Sequence, residues 1–333
     1  MAGLTTAKVI DLHAHIRLDA KTGTAGEHGP EIGTDAQGRI TYRVGKYTLV
    51  GVKHSGSPFT EPPLRIERMD KFGIDFQVVS PSPLTYFYYI EPALAIDFTR
   101  RWNDACADII TQYPDRLAAL ATLPMQDPAA AASELKRAVR EKGFLGAAIG
   151  TDFGIELDDP RLDDFYNRFV ELNVPLFIHP APLGLDGPDG NPQLRRFDLD
   201  IVVGFAAQET IALSTLIFGS VLHRHPKLDI WISHGGGAFP FLVNRLTDAA
   251  HKRPWASQQL KKDGEIEALL HRIWYDSHVG GGLPAKLLTD VVGADRIVFG
   301  TNFAGWDAPA DEHHEPIPAA YADNARRLLR HQG

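Results

Sequence analysis

Histidines recur in this chain at positions where imidazoles can converge. Asp11-Leu12-His13-Ala14-His15 sets two imidazoles two residues apart, which on an extended strand places both on one face. Other apolar, β-rich runs end in His179-Pro180, Ser233-His234-Gly235, Asp276-Ser277-His278 and Thr301-Asn302. Neutral imidazole is a common ligand for zinc and similar ions, and a catalytic zinc commonly has three protein ligands and one open position. With 14 histidines in the chain, a single His-x-His pair is a weak signal. Histidine at four strand ends argues for a metal site; a metal-free polar cluster would need every imidazole satisfied by hydrogen bonds.

Such convergence requires a fold that brings distant strand ends together. Eight short apolar runs recur: Val9–Leu12, Phe76–Ser80, Leu117–Leu123, Leu145–Ile149, Pro175–Ile178, Leu228–Ile232, Ile273–Tyr275 and Ile297–Phe299. Between them, Leu94–Tyr113, Ala129–Lys142, Leu162–Leu172 and Ile211–Arg224 have helical periodicity. Near-continuous apolar strands alternating with helices indicate an α/β fold with a covered parallel sheet. No Gly-x-Gly-x-x-Gly follows the first run, and eight runs favour closure into a TIM-like (β/α)8 barrel over an open doubly wound sheet. Residues 1–333 read as a single barrel, with a small β insertion at about 17–63 after strand 1 that contains strand-like pieces at Arg39–Val44 and Tyr47–Val52. Leu183–Arg196 reads as a long loop after the fifth strand, so both segments would overhang the C-terminal mouth.

Composition narrows the function classes. The 333 residues are 44% hydrophobic and carry 34 basic against 42 acidic side chains, a net charge of −8 without the basic footprint of a nucleic-acid binder. No apolar run approaches the ~20 residues of a bilayer span, and Met1–Lys8 lacks the basic start and apolar stretch of a secretory signal. Cys106 is the sole cysteine, which excludes an internal disulfide and fits a reducing, cytoplasmic setting. Neither a nucleic acid nor a membrane is an expected partner.

Several motifs together carry a resemblance: Ile10-Asp11-Leu12-His13-Ala14-His15, Arg65-Ile66-Glu67-Arg68-Met69-Asp70, Val174-Pro175-Leu176-Phe177-Ile178-His179-Pro180, Ser233-His234-Gly235-Gly236-Gly237-Ala238-Phe239 and Phe299-Gly300-Thr301-Asn302. In this order, from residue 9 to about 303, the chain resembles the amidohydrolase-2 branch of the amidohydrolase superfamily. It is most similar there to aminocarboxymuconate-semialdehyde decarboxylase and related nonoxidative decarboxylases. The resemblance implies one divalent metal ion, Zn2+ first with Mn2+ or Co2+ as alternatives, held by His13, His15 and His179, and a homodimer. It makes His234 the catalytic acid/base. Asn302 stands where the family has an aspartate that completes the ligand set; an amide can offer its carbonyl oxygen but no charge and no general base. Asn302 is therefore counted with both the metal and the catalytic residues, and Asp307 farther along the loop is the carboxylate that could reach in instead. For substrate binding, Lys53 with His54 stands nearest the position of a family arginine that meets the substrate carboxylate, and as a point charge Lys53 lacks the bidentate fork. Trp306 and Phe87-Tyr88-Tyr89 are candidates for an aromatic wall.

The reaction expected is nonoxidative decarboxylation of an unsaturated or aromatic, hydroxylated carboxylic acid, with His234 delivering the proton. The alternative is a metal-dependent hydrolase or hydratase on the same fold, and a further one is a member that has lost its metal and only binds ligand. Asp276 is a candidate acceptor for a ligand histidine. Gly235-Gly236-Gly237 reads as a run permitting close approach, Asp311-Glu312-His313-His314 as a surface loop, and Cys106 as a small buried hydrophobe.

Overall fold

The structure is a computed structural model that describes residues 2–51, 56–182, 184–185, 187, 189–303, 305, 307–308 and 316–330. Its strands are β1 (Ile10–Ile16), β2 (Glu31–Thr34), β3 (Ile40–Val44), β4 (Tyr47–Val50), β5 (Phe76–Pro81), β6 (Leu117–Ala119), β7 (Ala147–Ile149), β8 (Leu176–Ile178), β9 (Ile230–Ile232), β10 (Trp274–Asp276) and β11 (Ile297–Val298). All strands but β2–β4 pair in parallel, in the ladders β1-β5-β6 and β7-β8-β9-β10-β11. Both seams between these ladders are bonded. Leu145 N donates to the Ala119 carbonyl at 3.0 Å and Ala148 N to that of Ala121 at 2.9 Å; at the other seam Leu12 N reaches the Phe299 carbonyl at 2.9 Å and Phe303 N that of His13 at 3.1 Å. The eight-membered ring expected from the apolar runs therefore closes.

Alternation along the strands sorts side chains into two cores. Ile10, Leu12, Phe76, Val78, Ala118, Ala148, Phe177, Trp231, Trp274 and Val298 pack in one, together with Leu4 and Ala7 of the N-terminal turn and Ala322, Ala325 and Leu328 of the last helix. Their strand neighbours, such as Val79, Ala119, Ala147, Ile178, Ile232 and Tyr275, pack in the other with the outer helices. The first set fills the barrel, where Phe177 stacks on Trp231 at 3.9 Å, so the site sits on a solid floor. A register shift between Asp11 and Ala14 interrupts the β1–β5 pairing. Beyond it Ala14 and Ile16 join the outer core, while His13 and His15 share the other face, as the two-residue spacing demands.

The expected helices form at Pro92–Ile110, Pro128–Lys142 and Asp163–Leu172. The fourth breaks into Gly204–Phe218 and Val221–Arg224, because Ser220 adopts φ 61°. The insertion folds into an antiparallel sheet β2-β3-β4. Its β3 and β4 match the two strand-like pieces, whereas β2, exposed throughout, had no apolar pattern to reveal it. One expectation is corrected: by length and composition the 20-residue segment Leu199–Phe218 reaches the range of a membrane span, with mean hydropathy 1.7. It serves here as barrel cover, since Ala212, Leu213, Leu216 and Ile217 pack into the outer core and Glu209 reaches the site.

Candidate metal centre and acid-base site

His13 and His15 lie on β1, and His179 follows β8. All three are buried, and one donor atom from each lies within 4.8 Å of the others. Their Nδ1 atoms are engaged outward. That of His13 is 2.7 Å from Asp276 Oδ2, a close contact outside hydrogen-bond geometry; that of His15 is 3.2 Å from the Pro81 carbonyl and 3.0 Å from Ser80 Oγ; that of His179 is 2.6 Å from the Pro180 carbonyl. At His15 and His179 an acceptor at Nδ1 selects the tautomer whose Nε2 lone pair is free, and the carboxylate beside His13 favours the same one. His15 Nε2 and His179 Nε2 then face each other at 3.3 Å, and His13 Nε2 is buried without a partner among the described residues. Buried lone pairs that converge with no proton between them fit a divalent cation. Burial, then repulsion by neighbouring histidines, holds His13 and His179 well below the ordinary imidazole range. Burial likewise lowers His15 to about 3, so all three are neutral, as ligation requires.

Asn302 sits beyond β11 with φ 50°, a left-handed conformation that asparagine tolerates better than most residues. Its Nδ2 donates to Asp307 Oδ1 at 2.6 Å, and its Oδ1 is buried without a partner among the described residues. The second Asp307 oxygen lies 3.0 Å from His278 Nε2. Burial alone would raise the Asp307 carboxyl, but the hydrogen bonds from His278 and Asn302 and the nearby charges outweigh it and lower it to about 2. The carboxylate weighed only as an alternative therefore does enter the site, through the Asn302 amide.

His234 follows β9 with φ 44°. Its ring centroid is 5.0 Å from that of His13 and 5.2 Å from that of His179. Nδ1 lies 2.6 Å from Oε1 of Glu209, which is fully buried and also accepts from Ser233 Oγ. Burial opposes charge on His234, but the adjacent Glu209 carboxylate, aided by Asp276 and Asp307, overcomes it and raises the imidazole to about 9. The site thus contains one protonated imidazole beside three neutral ones. Glu209 escaped the sequence reading. Its signal was a lone carboxylate within the apolar stretch GFAAQETIALSTLIF, where only a partner justifies burying charge. Gly237 (φ +66°) makes room for this: a Cβ there would lie 2.2 Å from the Ala206 carbonyl oxygen, which bears out the close-approach reading of the glycine run.

A buried polar chain braces β1. Asp11 accepts from Gln77 Nε2 at 2.8 Å, Thr301 Oγ1 at 2.7 Å and Thr301 N at 3.1 Å. Arg65 donates to Gln77 Oε1 at 2.6 Å and to the His15 carbonyl at 2.5 Å. The Arg65 and Asp11 motifs are thus joined in space, tying the ligand strand to the loop that carries Asn302.

Two cavities open at the mouth. One of about 360 Å³ is lined by His15, His179 and Asn302 below and by Tyr47, Leu49, Phe59, Leu84 and Phe205 around. The other, about 820 Å³, is lined by His234, His278 and Asp307 at its inner end, and shares Ile201 and Phe205 with the first. Tyr47 and Leu49 come from β4, so the insertion does overhang the site. Lys53, His54, Trp306 and Asp311–His314 lie outside the described residues. The aromatic wall is corrected in part: Phe87 packs edge-on against Phe98 at 4.7 Å, and Tyr88 Oη accepts from Gly150 N at 2.8 Å. These two rings are structural; the cavity's aromatic sides are Tyr47, Phe59 and Phe205. Cys106 is buried, and desolvation pushes its thiol up to about 12, as expected of an inert core residue.

A closed parallel eight-stranded barrel with converging imidazoles at its C-terminal mouth defines the class of (β/α)8 proteins with a candidate metal centre. The amidohydrolase family model matches residues 10–330. The chain is 30% identical to 2-amino-3-carboxymuconate-6-semialdehyde decarboxylase of Dictyostelium discoideum over 88% of its own length and 81% of the relative's. It is 30% identical to gamma-resorcylate decarboxylase of Rhizobium sp. (strain MTP-10005), over 81% and 87%. Among solved structures it is similar to 5-carboxyvanillate decarboxylase of Novosphingobium aromaticivorans complexed with manganese and 4-hydroxy-3-methoxy-5-nitrobenzoic acid, at 28% identity and a TM-score of 0.70, covering 80% of this chain and 79% of that one. The chain belongs to the amidohydrolase family.

Proposed function

We propose that this protein is a metal-dependent nonoxidative decarboxylase of a hydroxylated aromatic or unsaturated carboxylic acid. The observation that carries the reading is His234, held by the buried Glu209 carboxylate at 2.6 Å with its ring about 5 Å from those of His13 and His179; these histidines adjoin a cavity of about 360 Å³, lined by His179, that suits a single ring. His13, His15 and His179, with Asn302 Oδ1, would hold one divalent ion. When bound, such an ion supplies a Lewis acid that polarises a substrate oxygen. The rings of Tyr47, Phe59 and Phe205 clamp a planar substrate and exclude water. Lys53 and His54, a few residues before Phe59, are proposed to meet its carboxylate, and Trp306 to cover it.

His234 donates its proton to the carbon that bears the carboxylate. The carbon–carbon bond then breaks, its electron pair restores the conjugated system, and CO2 leaves. A solvent proton recharges His234, so the net reaction consumes one proton per CO2 released. Glu209 keeps His234 charged and oriented.

Zinc is our reading of the ion from the three-imidazole set, and the manganese of the related structure is the rival. The protein is read as one cytoplasmic barrel unit with its insertion. It is also read as a homodimer: Val202, Phe241 and Leu283, at the larger cavity, are 53%, 80% and 82% exposed, an apolar rim of the kind a second copy covers. Light scattering should return twice the chain mass; a monomer at micromolar concentration would remove that part. For the reaction, metal-loaded protein is screened against hydroxybenzoates and muconate-like acids. CO2 release without uptake of solvent ¹⁸O into the organic product is expected, whereas ¹⁸O incorporation would move the assignment to the hydrolase or hydratase alternative.

A further inference from the structure

Asn302 poses a charge problem. If the metal reading above holds, three neutral imidazoles and a neutral amide face a dication in a buried site, where uncompensated charge is costly. Among the described residues the carboxylate bonded to the amide is Asp307, and its oxygens are spent, one on Asn302 Nδ2 at 2.6 Å and one on His278 Nε2 at 3.0 Å. Asn302 lines the cavity with His15 and His179, whereas Asp307 lines the one with His234 and His278, so it is the amide, and not the carboxylate bonded to it, that shares a cavity with two of the ligand histidines. With Nδ2 committed to an acceptor-only group, the buried Oδ1 is left without a partner among the described residues. The turn permits this: Gly305 N donates to the Asn302 carbonyl at 2.6 Å, and a Cβ on Gly305 would lie 2.5 Å from the Asn302 amide atoms.

We propose that Asp307 is a positioning residue for the metal: it holds the Asn302 amide so that Oδ1 serves as ligand, and supplies from one hydrogen bond behind it the negative charge that this ligand lacks. A carboxylate hydrogen-bonded to the amide N–H also draws electron density toward Oδ1, making it a better donor. The pair is complementary as it stands. Two carboxylates at these positions would be 2.6 Å apart, and one would have to take up a proton. His234, His278 and Asp307 also bring one donor atom each within 4.8 Å of the others, but the Asp307–His278 bond and the charge on His234 oppose cation binding there.

The test is metal affinity of the full chain, by chelator competition with Mn2+ and Zn2+, beside the absorption spectrum of the cobalt-loaded protein. Asp307→Asn should bind about 10- to 100-fold more weakly, the range for removing an outer partner of a ligand, with an altered cobalt spectrum. Asn302→Asp combined with Asp307→Asn, which moves the charge onto the ligand, should recover most of the loss. A loop-bracing role alone would not respond to that exchange. Unchanged affinity in a folded Asp307→Asn, or no recovery in the double variant, overturns the proposal, as does a second ion per chain that Asp307→Asn abolishes. His179→Ala serves as the separate control. If it too retains full affinity, the three-histidine reading fails; if it alone loses metal, that reading stands and only the role of Asp307 falls.

Discussion

Replacing His234 with asparagine should lower kcat for CO2 release by about 10²- to 10⁴-fold, the usual contribution of a positioned proton donor, with bound metal at its wild-type level. The separation follows from the geometry. His234 is 5.0 Å, ring to ring, from His13, yet its Nδ1 is committed to Glu209 at 2.6 Å, so its loss removes the proton and leaves the Nδ1 supports of the ligand histidines in place. The pH profile gives the second readout. The folded imidazole is raised from its ordinary 6.5 to about 9, so the acid form is present throughout the neutral range and activity declines as pH rises through about 9. The same sign applies to stability: the His234–Glu209 contribution is complete below pH ~6.5 and is lost as pH rises through the folded value. Glu209→Gln removes the carboxylate that raises His234, so the basic limb should move down toward the ordinary histidine value of about 6.5. An unmoved limb in Glu209→Gln would assign it to another group, and metal loss in His234→Asn would make His234 a ligand.

The second large effect is on metal content. His179→Ala should leave the purified protein with far less than one ion per chain and abolish CO2 release with it. The affinity loss should exceed the roughly 10- to 100-fold typical of outer partners, because Nε2 of His179 faces that of His15 at 3.3 Å and its removal breaks the triad itself. Stability moves in step. Wild type should show a higher Tm with metal than after chelation, since an ion bound only by the folded state stabilises it by mass action, and His179→Ala should show almost no such difference. Elemental analysis and paired melting curves decide this. Full metal occupancy in the variant would mean that the ion is held elsewhere.

Much of this protein is legible along the chain. Strand periodicity, with its apolar runs at Phe76, Leu176 and Ile297, required a covered parallel sheet, because continuous apolar strands have no other way to hide both faces. The His13-x-His15 spacing placed two imidazoles on one face, and His179, His234 and His278 each announced themselves at the end of such a run. These features are local, determined by residue type and separation alone.

What remained invisible depends on residues far apart in sequence. Glu209 is an unremarkable position in an apolar helix until the fold carries it to His234, and Asp276, a candidate acceptor from its place at a strand end, has no identified partner until Nδ1 of His13 meets it at 2.7 Å. The protonation pattern, one charged imidazole beside three neutral ones, is likewise absent from the sequence. It arises because barrel closure buries His13, His15 and His179 so deeply that desolvation prevails, whereas at half-buried His234 the Glu209 carboxylate, aided by Asp276 and Asp307, offsets the cost. Asn302 shows the division most clearly. Its sequence position reads as a lost charge, whereas the tertiary structure sets Asp307 2.6 Å behind the amide. Residue identity determined which donors were present; only folding decided which of them share an electrostatic environment, because Coulomb interactions and desolvation follow distance through space.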